Sequence, residues 1–202
     1  MTKVVLKTIA ITLASVVLAI GLFFGSFALF SPITLANFFD GMGCYSLSIT
    51  FYESNFNKTQ KVSDLATLVV KIDQEKDSER AEKYLKILVE FDKFEEFCAS
   101  EDKYSQSQMA AKDYYLGEYV YALLKNGKFL DAFNLSFDYI DDNGYTENNP
   151  CRVMVVNAEK LLTDDQIYTL KKEIYDCRLS LTDQNDLARA NSDAEWLSLL
   201  IG

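Results

Sequence analysis

Cysteine and histidine are the residue types with the widest chemical use, and the chain has four cysteines and no histidine. It therefore lacks the commonest general base and the commonest metal ligand. Catalysis by a Ser-His-Asp or Cys-His arrangement is excluded. The four cysteines, none of which forms a C-x2-C pair, are Cys44, Cys98, Cys151 and Cys177. This spacing argues against a zinc site.

One acidic segment, DYIDDNGYTENNP, superficially resembles a calcium-binding loop. Placing Gly144 at the required sixth position puts Tyr139 first and Pro150 twelfth, where carboxylates are needed. Residues 141–143 are therefore predicted to be turn residues that end a helix. No other acidic pair stands out from the charges of a solvated helix face. We expect no catalytic residues, no metal and no cofactor, and so no enzyme.

Charge is distributed unevenly along the chain, which carries a formal net charge of -10 over 202 residues. The first 30 residues hold Lys3 and Lys7 and no acid. The remaining residues carry 18 basic and 30 acidic side chains, a balance of -12. A domain this acidic repels phosphate backbones and anionic lipid headgroups, so no nucleic-acid partner is expected.

An uncharged run of 23 residues extends from Thr8 to Phe30. As a helix it would measure about 34 Å, enough to cross a hydrocarbon core of about 30 Å. The run therefore predicts a membrane anchor over residues 8–30. The lysines before the run and the acids beyond it place the N-terminus in the cytoplasm and the domain outside. Gly21 and Gly25 form a GxxxG pattern that permits close contact with another helix.

A cleaved signal peptide is the alternative interpretation of this segment. Signal peptides have apolar cores of about 7 to 15 residues, shorter than this run. Residues 34–36, Thr-Leu-Ala, resemble a weak cleavage site. Cleavage there would sever the first helical pair described next, which favours an uncleaved signal anchor.

Helical stripes follow the anchor in pairs. Ser31 and Pro32 are typical of a helix start. The first pair resembles the tetratricopeptide repeat, L-G-x2-Y followed by G-x-Y-x2-A-x3-F. The residues that carry this resemblance are Leu35, Ala36, Phe39, Gly43, Tyr45, Ser48 and Tyr52. Small residues at Ala36 and Ser48 would let two antiparallel helices approach closely.

The same pattern recurs three more times. The second copy keeps Leu68, Val69, Ile72, Ala81 and Leu85, with Lys76 in place of the glycine and Ser78 as a predicted cap. The third copy has Tyr119, Val120, Leu123, Gly127, Phe129 and Ala132. The fourth runs from Pro150 to Cys177, and residues 163–166 form a capping box within it. The interval between the second and third copies is longer than the repeat allows and contains a predicted extra helix, FDKFEEFCAS. A plain helical bundle is the alternative to a repeat.

These patterns predict an all-α fold, with a transmembrane helix followed by a short solenoid of α-hairpins. The predicted parts are an anchor over 1–30, a repeat domain over 31–177 and a C-terminal capping helix or tail over 178–202. In the fourth pair, Cys151 begins the first helix and Cys177 ends the second. Antiparallel helices bring these positions together, so a Cys151–Cys177 disulfide is predicted, with free core cysteines as the alternative. Four alkylated thiols in the unreduced protein would contradict the disulfide.

Proteins with tetratricopeptide repeats bind peptides or partner proteins on the face made by the first helix of each pair. The resemblance implies a groove lined by Asn37, Asp40, Asp73, Tyr114 and Tyr121, and its acids and tyrosines would suit a basic or mixed peptide. The predicted function is a non-catalytic adaptor or assembly factor that holds a protein partner at the outer membrane surface. The alternative is a structural subunit of a larger membrane complex, bound through its transmembrane helix and C-terminal tail.

Overall fold

The computed structural model describes residues 2–104 and 109–201, and every regular element in these ranges is a helix. This confirms the predicted all-α class. The eleven helices of the described residues are α1 (Thr2–Phe30), α2 (Pro32–Gly41), α3 (Tyr45–Thr59), α4 (Val62–Glu75), α5 (Ser78–Val89), α6 (Phe94–Tyr104), α7 (Ala111–Lys125), α8 (Phe129–Asn143), α9 (Cys151–Leu161), α10 (Asp164–Cys177) and α11 (Gln184–Leu200). The predicted extra helix is α6. Residues 141–143, predicted as turn residues, instead form the last turn of α8, which ends at Asn143.

The chain divides into two compact units, Met1–Glu75 and Lys76–Gly202. Unit one contains α1 to α4, and unit two contains α5 to α11. The division falls inside the second predicted repeat copy, because α4 and α5 belong to different units. The solenoid arrangement of the four copies therefore remains a prediction.

Helix α1 has the length and composition of a membrane-spanning helix over Lys7–Ala28. None of this segment is buried inside the chain. Its serine and threonine hydroxyls bond back to the helix backbone, as when Ser15 donates to the carbonyl of Ile11 at 2.9 Å. Such internal pairing is what a helix in lipid requires, since the hydrocarbon supplies no partners.

Helices α2 and α3 form the first predicted hairpin. The Ser48 hydroxyl donates to the backbone carbonyl of Ala36 at 2.9 Å, and both residues are buried. The close approach predicted from these two small residues is confirmed. The predicted helix start is confirmed, because Ser31 occupies the N-cap position and Pro32 begins α2. The Ser31 hydroxyl makes no capping bond and pairs instead with the Thr34 hydroxyl at 2.7 Å.

Three positions aligned by the repeat pattern share a left-handed backbone. Gly43 and Gly127 have φ of 73°, and Lys76, which replaces the glycine in the second copy, has φ of 58°. Glycine adopts this region freely, whereas a side chain is strained there. The second copy thus keeps the turn geometry without the residue that favours it.

Unit two is built around one core formed by α7 to α11. Residues from all five helices are fully buried in it, including Val120, Ala132, Met154, Leu170 and Leu197. Helices α5 and α6 pack against α7. The predicted capping box of α10 is confirmed, with hydrogen bonds in both directions between Thr163 and Gln166. The predicted cap of α5 is wrong, because Asp77 rather than Ser78 accepts from the backbone of Arg80.

Candidate functional site

The predicted groove residues of unit one already have partners within the chain. The Asn37 side-chain oxygen accepts from the Tyr52 hydroxyl at 2.8 Å. Asp40 forms an ion pair with Lys71 at 2.8 Å, and both side chains are about three-quarters buried. This hydrogen bond to Asp40 raises the pKa of Lys71, so the ammonium stays charged. Asp73 is exposed on α4.

The other two predicted groove residues lie on α7 in unit two. Tyr114 is exposed and packs edge-on against Tyr115, with ring centroids 5.1 Å apart. Tyr121 is partly buried, and the Lys125 ammonium lies 6.0 Å from its ring centre. The five predicted residues are thus shared between two units. The groove that would join them remains a prediction.

A surface groove of about 540 Å³ lies between α10 and α11. We call it the basic groove, and it is lined by Tyr168, Lys171, Lys172, Tyr175, Arg178, Asn191, Ala194, Glu195 and Ser198. Its cations outnumber its single carboxylate by three to one. This balance is the reverse of the chain as a whole, whose acids outnumber its bases.

The spacing of residues on α10 sets up the basic groove. Ile167, Leu170 and Ile174 are buried in the core of unit two. The groove residues of α10 recur at intervals of three and four, which places them on one helix face. Tyr168 and Tyr175, one on each side of the two lysines, are 59% and 53% exposed. A core-facing stripe thus forces a row of aromatic and cationic side chains to the surface.

The cations of the basic groove are held against the tyrosine rings. The Arg178 guanidinium lies 3.8 Å from the ring centre of Tyr175 and donates a hydrogen bond to the Asn191 side chain. The Lys171 ammonium lies 5.7 Å from the ring centre of Tyr168. Among the described residues, these two cations and Lys172 form no ion pair. Three positive charges are therefore unneutralised at one surface.

A second groove, of about 520 Å³, lies among α5, α7 and α8. We call it the acidic groove, and it is lined by Lys86, Val89, Glu90, Leu116, Tyr119, Leu123, Asp131, Asn134, Leu135 and Asp138. Burial, together with nearby carboxylates, raises the pKa of Tyr119. Its acids and tyrosine match the predicted chemistry of a partner groove, but none of the five predicted residues lines it.

The cysteines occur as four free thiols. Cys151 is fully buried, and Cys177 is partly buried at the end of α10. Burial raises the pKa of the Cys177 thiol to about 11, and burial raises that of Cys98 to about 12. Burial also raises the pKa of Cys151, with a smaller contribution from the nearby Cys177. The Cys151–Cys177 disulfide remains a prediction.

A buried polar network joins the loop before α9 to α11. Tyr145 is fully buried, and its hydroxyl donates to Asp193 at 2.9 Å. Asp193, only 6% exposed, also lies 3.4 Å from the Arg152 guanidinium. Because Tyr145 and Asp193 are buried, their hydrogen bond holds the loop before α9 to α11 inside unit two.

Neither a cluster of metal ligands in the described residues nor a similar known protein indicates a function for these grooves. In residues 2–104 and 109–201, no group of three or more Cys, Asp or Glu side chains is placed to hold a metal ion. The chain matches no family model, no curated protein and no solved structure.

The basic groove was missed at the sequence level because the repeat resemblance directs attention to the first helix of each pair. Its residues lie on the second helix of the fourth pair and on the predicted capping helix. A signal was present in YTLKKEIYDCR, where tyrosines flank two lysines at helical spacing. What the sequence does not show is that Asn191 of α11 would fix Arg178 beside Tyr175.

Proposed function

We propose that the chain is a membrane-anchored, non-catalytic protein-binding module whose basic groove holds an acidic segment of a partner protein. The observation that carries this proposal is the row of three unpaired cations and two exposed tyrosines between α10 and α11. Carboxylates of a partner would pair with the cations, and its apolar side chains would pack on the tyrosine rings. Tyrosine and arginine are also the residue types enriched at the centres of protein interfaces.

In this proposal α1 is an uncleaved signal anchor, with its N-terminus in the cytoplasm and the helical units outside. Its support is the length of Lys7–Ala28, the absence of buried residues in that segment, and Lys3 and Lys7 at the N-terminal side of the apolar run. A protease added to intact cells should remove the helical units and spare α1. A mature protein that begins after residue 36 would instead identify a cleaved signal peptide.

The tetratricopeptide-like arrangement belongs to the same proposal. It is supported by the Ser48–Ala36 contact between α2 and α3 and by the left-handed backbone shared by Gly43, Lys76 and Gly127. A repeat array would present helix faces to a partner and needs no catalytic groups.

A fluorescent peptide tests the basic groove directly. The probe is a short peptide of alternating glutamate and phenylalanine, titrated with the full chain in detergent and followed by fluorescence anisotropy. An exposed ion pair contributes up to about 1 kcal/mol, or a factor of about five in Kd. Because Lys172→Glu replaces attraction by repulsion, we expect Kd to rise about 5- to 10-fold.

The matched control is Lys160→Glu, the same charge reversal at an exposed position of α9 outside the groove. We expect it to change Kd less than twofold at physiological salt, because Lys160 does not line the groove and salt screens exposed charges. Equal weakening by both reversals would show that binding follows net charge, and the groove proposal would fail. Cross-linking in native membranes that captures no protein partner would count against the adaptor function itself.

A second candidate function is a structural subunit of a larger membrane complex. It is favoured by the GxxxG face, where a side chain added at Gly21 or Gly25 would meet no atom of the chain within 4 Å. Trp196 and Leu199 are also exposed on α11. If this candidate is right, replacing α1 by an unrelated membrane helix abolishes association. Under the adaptor proposal the same replacement leaves partner binding intact.

A further inference from the structure

The junction between α1 and α2 brings the soluble part of unit one back toward the membrane. Only Ser31 separates the two helices. The Phe24 ring lies 6.1 Å from Phe38 and 6.3 Å from Phe39, centre to centre. Phe24 and Phe38 are each seven residues from Ser31, about 10 Å along either helix. Rings so far from the junction can meet only if α2 folds back beside α1.

This contact fixes the depth of α2 relative to the membrane helix. Phe24 lies inside the Lys7–Ala28 segment, four residues from its outer end. Four residues of helix span about 6 Å, so Phe24 lies below the outer edge of the hydrocarbon when α1 crosses the bilayer. Phe38 packs against it and must therefore lie at the boundary between acyl chains and headgroups.

Apolar side chains are exposed on both sides of the α1–α2 junction. Phe30, Phe38 and Met42, which we call the juxtamembrane face, are 78%, 48% and 61% exposed. Exposed apolar patches are typical of membrane or protein contact sites. The face adjoins α1 directly, and its phenylalanines are of the type that inserts at the membrane interface.

The charged groups near the juxtamembrane face are compatible with a position at the membrane interface. Asp40, on the same helix as Phe38, is paired with Lys71 and most of its side chain is buried. The Lys58 ammonium donates to the carbonyl of Phe30 at 3.0 Å, at the outer end of α1. A lysine at the end of a membrane helix keeps its ammonium near the headgroups while its alkyl chain lies along apolar surface.

We propose that the juxtamembrane face lies in the lipid interface of the membrane that α1 crosses, so that α2, folded back beside the outer end of α1, is a second membrane contact. This inference rests on the anchor role of α1 in the proposed function. It implies that unit one is held at the bilayer by two elements at an angle to each other. A single helix could rotate freely about its axis, whereas two contacts fix the orientation of α3 and α4 at the surface.

Depth-dependent fluorescence quenching tests the inference on the full chain in phosphatidylcholine vesicles. The one native tryptophan is removed by Trp196→Phe, and a tryptophan is placed by Phe38→Trp, Leu18→Trp or Thr67→Trp. Leu18 lies near the middle of the α1 span, and Thr67 is exposed on α4, which packs on α3. The quenchers are lipids brominated near the headgroup or at mid-chain. Circular dichroism confirms that each variant is folded.

The expected result is that mid-chain bromine quenches position 18, shallow bromine quenches position 38, and neither quenches position 67. Quenching at 18 without quenching at 38 would overturn the inference and leave the anchor intact. Equal quenching at 38 and 67 would also overturn it, because contact would not be specific to the juxtamembrane face. Absence of quenching at 18 would overturn the anchor, and the inference with it.

Discussion

The Tyr145 hydroxyl offers the most direct test of how unit two is held together. It donates to Asp193 at 2.9 Å, and both residues are buried. Burial, reinforced by Cys151 and Asp193, raises the pKa of Tyr145, so the hydroxyl remains a donor at every ordinary pH. Tyr145→Phe removes this donor and leaves the ring. The buried carboxylate then keeps only the guanidinium of Arg152, 3.4 Å away.

The expected loss follows from the charge on the acceptor. A hydrogen bond to a charged group contributes about 1.5 to 3 kcal/mol to the free energy of unfolding. Because Arg152 still compensates part of the Asp193 charge, we expect Tyr145→Phe to cost about 2 kcal/mol. For a unit of this size that lowers Tm by about 6 to 10 °C.

The assay is thermal unfolding of the full chain in detergent, followed by the fluorescence of Trp196 on the same helix as Asp193. Tyr168→Phe is the matched control, because it deletes an exposed hydroxyl with no described hydrogen-bond partner, and it should shift Tm by less than 2 °C. The double variant Tyr145→Phe/Asp193→Asn should show a coupling energy of at least about 0.5 kcal/mol. If Tyr145→Phe shifts Tm no more than the control does, the hydroxyl does not hold the loop to α11.

Three further changes test the turns and contacts outside this network. Lys76→Gly should raise the free energy of unfolding by about 1 kcal/mol in urea titration, since it relieves a left-handed backbone; an unchanged midpoint would contradict that strain. Ser48→Ala should cost about 1 kcal/mol because it deletes the hydrogen bond to α2, whereas the exposed Ser46→Ala should cost nearly nothing. Burial tends to raise the pKa of Glu82, but hydrogen bonding and the charge of Lys128 outweigh it and lower the pKa. The contribution of the Glu82 carboxylate to the free energy of unfolding is therefore present above about pH 4.5, and it is lost as pH falls through the lowered pKa. Glu82→Gln should destabilise the protein at pH 7, with a deficit that shrinks as pH falls below about 4.5 in acid titration followed by circular dichroism.

The helical content of the chain could be predicted because it depends on local patterns. Apolar residues at intervals of three and four, few glycines, and capping residues such as Thr163 act within one or two turns. The failures are local as well, and they have physical reasons. Ser31 occupies the N-cap position of α2, but its hydroxyl pairs with that of Thr34 and makes no bond to the helix backbone. Asp77 takes the place of Ser78 as the cap of α5, since its carboxylate accepts from the helix start.

The candidate site was less predictable because it depends on which helices meet. A residue such as Asp40 looks like a groove acid in the sequence, yet its carboxylate is occupied by Lys71 from another helix. Conversely, Lys171 and Arg178 look like ordinary surface charges until α11 packs beside α10. Helical periodicity assigns each side chain to a face, but it does not say which face another element covers.

The unpaired positive charge of the basic groove results from how its side chains are arranged, and the composition of the chain does not predict it. Some cations of the described residues, such as Lys71 and Lys128, have a carboxylate within 4 Å. The cations of the basic groove have no ion-pair partner of this kind within the described part of the chain. Instead, Tyr175 and Asn191 hold the Arg178 guanidinium, and Tyr168 lies beside the Lys171 ammonium. Tyrosine rings attract cations without neutralising them. The positive charge therefore stays available to an acidic partner while the side chains are already partly ordered. If the groove binds an acidic segment as proposed, that ordering lowers the entropy lost on binding.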